Sequence, residues 1–68
     1  MFNRGDIVKS NRELDWSHGS GQQWPFGQEF RIETLHDTSS GPRYSANAIT
    51  QDGLVFVSNI PPEAIEAA

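Results

Sequence analysis

Two short sets of residues carry side chains that could do chemistry: Asp15 with His18, and His36 with Asp37. Two imidazoles and a carboxylate could bind zinc, and a carboxylate beside a histidine could act as an acid–base pair. However, the spacing matches no metal or catalytic motif, and short polar side chains in loops mostly form local hydrogen bonds. We therefore predict that these residues hold no metal and no cofactor.

The serines are frequent, but their surroundings do not indicate a nucleophile. A hydrolytic site needs a nucleophile, a base and an oxyanion hole held in one geometry, and no such pairing is visible. The Gly19–Gly21 run is glycine-rich, yet neither a lysine nor a helix start follows it to hold a phosphate. We predict that the protein has no catalytic residues and is not an enzyme.

Four aromatic residues form the most informative set: Trp16, Trp24, Phe26 and Tyr44. Exposed tryptophan and tyrosine often form binding hot spots, because they bury a large area with few rotatable bonds. The alternative, that Trp16 and Trp24 fill the core of a small domain, stays open. We assign Phe26 to the core, since its neighbours fix it beside a strand. The predicted partner-binding residues are Asp15, Trp16, His18, Trp24 and Tyr44.

The segment that must position most of these residues is a long loop, 11–27. It shows no helical or strand periodicity and contains several turn residues. Its large aromatic side chains argue against disorder, and long loops in small domains are usually functional. We predict a folded, packed loop that presents Trp16 and Trp24, with Tyr44 at its border.

Short β-strands are predicted on either side of this loop. Residues 5–10 form a first strand, and residues 28–37 alternate with Phe30 and Ile32 on one face. Leu35 breaks that alternation, which indicates a β-bulge. A polar turn at 38–42 then leads to a third strand, 44–50.

Asp52-Gly53 predicts a tight hairpin with a type I′ turn. With these two residues as the loop, Thr50 pairs with Val55 and Ala48 with Val57. Both faces of the hairpin are then apolar, which predicts either a strand buried on two sides or a curved sheet whose outer face binds something. One face carries Tyr44, Ala46, Ala48, Val55 and Val57, and the other carries Ile49, Leu54 and Phe56.

The end of the chain resembles part of the Src-homology-3-like family. That family has an aromatic-x-Ala strand, a tight hairpin, and an apolar strand ending in a Ser-Asn-aromatic helical turn. Tyr44-Ser45-Ala46, Asp52-Gly53 and Val57-Ser58-Asn59-Ile60 occupy these places. The resemblance implies an all-β, five-stranded small barrel with a short C-terminal helical turn, for which Ser58-Asn59 can provide the cap.

The peptide-binding motifs of that family are replaced in this chain. Residues 5–9, Gly-Asp-Ile-Val-Lys, stand near the place of its Ala-Leu-Tyr-Asp-Tyr-type motif. Arg43-Tyr44 stands where the family has tandem tryptophan, and Ile60 replaces the tyrosine that follows Ser-Asn. The resemblance therefore implies the fold and does not extend to binding proline-rich peptides.

Composition limits the class of protein further. The chain has 68 residues, which suits one domain spanning 1–68, and it has no cysteine, which excludes disulfides. Its net charge is −4, and its five basic residues are scattered, which disfavours binding to nucleic acid. No signal-peptide pattern and no apolar run of membrane-spanning length is present. We predict a soluble, cytoplasmic protein.

These observations predict a non-catalytic protein-interaction module, or a small regulatory or accessory subunit, that binds a protein partner through the aromatic long loop. Self-association stays open as well, because small chains gain stability by association. The alternative is a nucleic-acid-associated small barrel within a ribosomal or transcription complex.

Overall fold

The computed structural model describes residues 1–15 and 23–68, and their regular structure is almost entirely β-strand. One 3₁₀ turn, Pro62–Ala64, precedes the last strand. The predicted all-β class and the short helical turn near the C-terminus are therefore confirmed. The strands are β1 Ile7–Ser10, β2 Leu14–Asp15, β3 Gln23–Trp24, β4 Glu29–Thr38, β5 Gly41–Thr50, β6 Gly53–Ile60 and β7 Ile65–Ala67.

Five strands form one antiparallel sheet in the order β6-β5-β4-β1-β7. The remaining two strands, β2 and β3, pair with each other inside the long loop. Sequence periodicity did not predict this small second sheet, because two-residue strands are too short to show alternation. The fifth strand of the main sheet is β7, in a stretch to which the sequence analysis assigned no strand.

Both hairpins of the main sheet close with the same four-residue pattern, Thr-x-x-Gly. Thr50 Oγ1 accepts a hydrogen bond from the Asp52 amide at 3.2 Å and donates one to the Gly53 carbonyl at 2.7 Å. In the β4–β5 hairpin, Thr38 Oγ1 makes the equivalent bonds at 3.1 and 2.8 Å. The threonine hydroxyl thus fixes each turn by a local side-chain bond.

The predicted turn at Asp52-Gly53 lies one residue too late. The turn residues are Gln51 and Asp52, and Gly53 is the first residue of β6, with φ at +113°. The strands consequently pair Ala48 with Val55, where Ala48 with Val57 was predicted. Because this error in register is two residues, an even number, every side chain keeps its predicted face.

A phase slip interrupts β4, as predicted from the alternation, but it lies slightly earlier. The register with β5 shifts between Ile32 and Thr34. Ile32 is buried on one side of the slip, and Leu35 packs against the core on the other side. An extra residue in one strand bends that strand and restores the burial of the next apolar side chain.

The inner face of the sheet forms the core together with Leu14 and Trp24 from the small β2–β3 sheet. Two alanines of β5, Ala46 and Ala48, are fully buried in this core. The buried apolar residues are Val8, Leu14, Trp24, Phe30, Ile32, Tyr44, Ala46, Ala48, Val57, Ile60, Ala64 and Ile65.

The 3₁₀ turn is not capped by Ser58-Asn59, which was the prediction. These two residues belong to β6, and the capping position is Pro61, which makes no side-chain bond to the turn. The turn is held instead by the segment after β1. Asn11 Nδ2 and Arg12 Nη2 both donate to the Glu63 carbonyl, at 2.9 and 2.8 Å.

Among residues 1–15 and 23–68, no helix is long and apolar enough to cross a membrane.

Candidate functional site

Ser10, the last residue of β1, fixes the end of the long loop. Its side chain is fully buried, and Oγ donates to the Pro25 carbonyl at 2.8 Å and accepts from the Gln28 amide at 3.0 Å. The Ser10 amide also donates to the Gln28 carbonyl at 2.9 Å. One small buried hydroxyl therefore adds a hydrogen bond to both a donor and an acceptor of the loop backbone.

Phe26 points to solvent from this turn, so its predicted place in the core is wrong. The Gln28 amide donates to the Pro25 carbonyl at 3.2 Å, which closes a β-turn with Phe26 and Gly27 at its centre. Gly27 has φ at +83°, as the third position of a type II turn requires. The turn leaves 71% of Phe26 exposed. The Pro-x-Gly pattern was the sequence signal for this outcome, because the centre of a turn seldom points inward.

Trp24, a predicted partner-binding residue, lies in the core. Only 8% of it is exposed, and its ring meets the Phe30 ring edge to face at a centroid distance of 5.8 Å. Strand β3 holds it there by pairing with Leu14 of β2. The indole Nε1 is buried and finds no hydrogen-bond acceptor among the described residues. Of the two interpretations left open for Trp24, the geometry selects core packing.

Tyr44, expected to border the binding surface, is also buried, with 2% exposed. Its hydroxyl accepts a hydrogen bond from the Phe2 amide at 3.0 Å, and the two rings make an edge contact at 5.9 Å. This contact joins the N-terminal segment to the middle of β5. Tyr44 thus has the typical environment of a buried tyrosine, with an apolar ring and a satisfied hydroxyl.

Trp16 and His18 lie outside the residues that the structure describes. Asp15 is the last residue of β2, and its backbone is paired with Gln23. The described members of the predicted set therefore do not form one exposed aromatic surface.

An exposed apolar surface exists elsewhere, on the side of the main sheet opposite the core, which we call the outer face. Three of its large apolar residues lie on the β5–β6 hairpin: Ile49, Leu54 and Phe56, with exposed fractions of 37%, 58% and 59%. They are the second apolar face predicted for the β5–β6 hairpin. The strand registers place them beside polar and charged neighbours, so the outer face comprises Ile7, Lys9, Glu29, Arg31, Asn47, Ile49, Leu54 and Phe56.

The long loop meets the outer face at Phe26. Phe26 and Ile49 line one open, shallow pocket, and Gln28 Nε2 donates to the Ile49 carbonyl at 3.0 Å, which holds the loop against β5. We call this surface the Phe26–Ile49 pocket. Its lining residues are Lys9, Pro25, Phe26, Gly27, Gln28, Glu29 and Ile49.

Of the two pairs considered for acid–base chemistry or metal binding, the structure describes His36 with Asp37, whereas His18 of the other pair lies outside the described residues. His36 and Asp37 are consecutive residues of β4, both exposed, so their side chains leave opposite faces of the strand. No group of three or more His, Asp or Glu side chains in the described residues could hold a metal ion. The Phe26–Ile49 pocket combines apolar side chains with one cation and one carboxylate, a set suited to contact with another surface.

No protein-family model, curated protein or solved structure matches the chain. Functional inference therefore rests on the fold and on these exposed residues.

Proposed function

We propose that this protein is a non-catalytic protein-interaction module with a Src-homology-3-like fold. Three features support the fold assignment: a long segment between β1 and β4, a tight hairpin late in the chain, and a helical turn between β6 and β7. The hairpin and the helical turn are also among the features on which the sequence resemblance rested. Small barrels of this kind commonly act by presenting loop side chains to a partner.

The exposure of Phe26 is the observation that carries the proposal. A phenylalanine that is 71% exposed contributes nothing to the core, yet its turn is fixed by the buried Ser10. A rigid turn that holds an aromatic side chain in solvent lowers the entropy lost on binding. Phe26 belongs to the same long loop to which the sequence assigned partner binding.

The surroundings of Phe26 favour a protein partner over a nucleic acid. The Phe26–Ile49 pocket contains one cation, Lys9, and one carboxylate, Glu29. A phosphate backbone would gain one contact with Lys9 and meet repulsion from Glu29, on a chain whose net charge is −4. An apolar centre with charges of both signs around it is the usual composition of a protein–protein interface.

The test is affinity capture from the source cell, comparing wild-type protein with Phe26→Ala and identifying bound proteins by mass spectrometry. Binding of the purified partner is then titrated. We expect Phe26→Ala to weaken binding by about tenfold or more, the usual effect of truncating a hot-spot aromatic.

The matched control is Phe56→Ala, which removes an equally large and similarly exposed ring from the outer face beyond the pocket. We expect it to bind the partner with wild-type affinity. The proposal fails if Phe26→Ala binds the partner with wild-type affinity. It also fails if wild-type protein and folded Phe26→Ala capture the same set of proteins.

A further inference from the structure

The two edge strands of the main sheet, β6 and β7, differ in how well they are protected against pairing with a further strand. Strand β7 has three residues, one of them Glu66, and it follows the 3₁₀ turn directly. Strand β6 has eight residues, Gly53–Ile60, with neither a charge nor a proline among them. Proteins usually protect exposed edges with charged residues, prolines or very short strands. In the described residues β6 pairs only with β5, and it carries none of these devices.

The backbone of β6 alternates between groups used by β5 and groups directed away from it. The two-residue turn makes Thr50 and Gly53 the closing hydrogen-bonded pair of the hairpin. By alternation, Val55 and Val57 also direct their amide and carbonyl groups to β5. Leu54 and Phe56 direct theirs to the open edge, so the edge offers a regular set of donors and acceptors.

The side chains at this edge select the kind of strand that could pair there. Leu54 and Phe56 are more than half exposed, and burying a charge against them without a partner would be costly. The chain as a whole carries a net charge of −4, so two copies repel each other at most surfaces. Strand β6 adds nothing to that repulsion, because it is uncharged along its whole length.

We propose that β6 pairs with β6 of a second copy of this chain, in an antiparallel and two-fold symmetric arrangement that extends the sheet across the dimer. A second copy of the chain supplies a suitable partner, because its own β6 is uncharged and has the same length and the same side chains. Two-fold dimers are the commonest protein assemblies, and their interfaces pair each patch with itself. This inference does not rest on the proposed function, since it uses no residue of the Phe26–Ile49 pocket.

The register of the pairing follows from where β6 is regular. Its ladder with β5 is unbroken from Gly53 to Val57 and shifts beyond that point, where Asn59 has φ at +65°. The midpoint of the regular stretch is Val55. A two-fold axis there places Val55 opposite the partner's Val55 and Leu54 opposite the partner's Phe56, twice. Side chains directly opposite each other on antiparallel strands are close enough to pack, so each leucine contacts a phenylalanine of the partner.

The first experiment measures the mass of the protein in solution by sedimentation over a range of concentrations. We expect a concentration-dependent dimer of the 7.6 kDa chain. Phe56→Lys should shift the protein to monomer, because lysine on an edge strand opposes pairing. Phe26→Lys makes the same change of charge at a similarly exposed aromatic outside β6, and it should leave the dimer intact. Circular dichroism checks that each variant is folded.

The second experiment tests the register. The chain has no cysteine, so Val55→Cys can form only an intermolecular disulfide. Directly opposed residues in a non-hydrogen-bonded pair have Cα atoms about 4.5 Å apart, within the range for a disulfide. We expect rapid oxidation to a covalent dimer for Val55→Cys and slower oxidation for Leu54→Cys, whose sulfurs would lie on a diagonal.

Either of two results would overturn the proposal. One is a wild-type protein that stays monomeric at the highest attainable concentration. The β6 edge would then be available to a strand of a different protein. The other is a dimer that Phe56→Lys leaves intact. The two functional claims also separate cleanly: Phe26→Lys should abolish partner binding and leave the dimer, whereas Phe56→Lys should abolish the dimer and leave partner binding.

Discussion

Both faces of the main sheet carry large apolar side chains, but these side chains lie in opposite environments. On the inner face Phe30, Ala48 and Val57 are fully buried, and on the outer face Leu54 and Phe56 are more than half exposed. Both sets come from adjacent positions on the same strands. Apolar composition alone therefore does not show which face folds the protein and which face is available for contact.

The difference arises from side-chain size and from the second sheet. The small residues Ala46 and Ala48 on the inner face share one buried cluster with Leu14 and Trp24 from the β2–β3 sheet. No described element covers the outer face in the same way. The inner face is thus required for folding, whereas large apolar side chains on the outer face are free to serve another role, because their exposure gains nothing for the folded state.

The largest difference between the faces should appear when one aromatic ring is removed from each. Phe30→Ala empties the centre of the core and removes the ring that contacts Trp24, so we expect a loss of about 3–5 kcal/mol in the free energy of unfolding. In a domain of this size that loss can prevent folding altogether. Phe56→Ala should change the free energy of unfolding by less than about 0.5 kcal/mol.

Urea denaturation of both variants, followed by tryptophan fluorescence, measures this difference. If self-association contributes to the apparent stability, the comparison is made at several protein concentrations, since only the dimer contribution depends on concentration. Equal losses for the two variants would contradict the division between a folding face and a contact face.

The next largest effect should come from the residue that links the two faces. Ser10 is buried on the inner side, and its hydroxyl bonds hold the turn from which Phe26 projects. In Ser10→Ala, the Pro25 carbonyl and the Gln28 amide keep their bond to each other but lose their two bonds to the hydroxyl. At the usual net value of a hydrogen bond, we expect a loss of about 1–3 kcal/mol in the free energy of unfolding. Ser39→Ala, at an exposed hairpin turn, should be close to neutral.

Ser10→Ala also has a functional readout that a purely structural serine would not give. If the turn presents Phe26 to a partner, a folded Ser10→Ala variant should bind that partner more weakly than wild type at temperatures well below its unfolding midpoint. Unchanged affinity would show that partner binding does not depend on the hydrogen bonds by which Ser10 holds the turn.

The sequence predicted the fold better than it predicted the surface, and particular residues show why. Alternation at Phe30 and Ile32 predicted β4, and the even register error at Asp52–Gly53 left the faces of the hairpin intact. These signals are local, because one strand determines its own alternation. The two-residue strands β2 and β3 carry no such signal, and the position of β7 depends on pairing with β1 across most of the chain.

Exposure of single aromatic residues could not be read in the same way. Trp24 and Phe26 are two residues apart in one loop, yet the first is buried and the second is exposed. Their difference depends on β3 pairing with β2 and on the turn held by Ser10, which are contacts between distant residues. Composition identified the loop as aromatic, but only the fold assigns each ring to the core or to solvent.

The smallest predicted effect concerns Tyr44. A tyrosine that serves folding and a tyrosine that serves partner binding should respond differently to the loss of the hydroxyl. Tyr44→Phe keeps the ring packed on Phe2 and removes the hydroxyl that accepts the Phe2 amide bond. We expect a loss of about 1 kcal/mol in the free energy of unfolding, the usual net value of one hydrogen bond. Partner affinity at the Phe26–Ile49 pocket should not change, because Tyr44 belongs to the inner face. A variant with wild-type stability and weakened partner binding would instead return Tyr44 to the contact surface, and the division between the two faces would then fail at this residue.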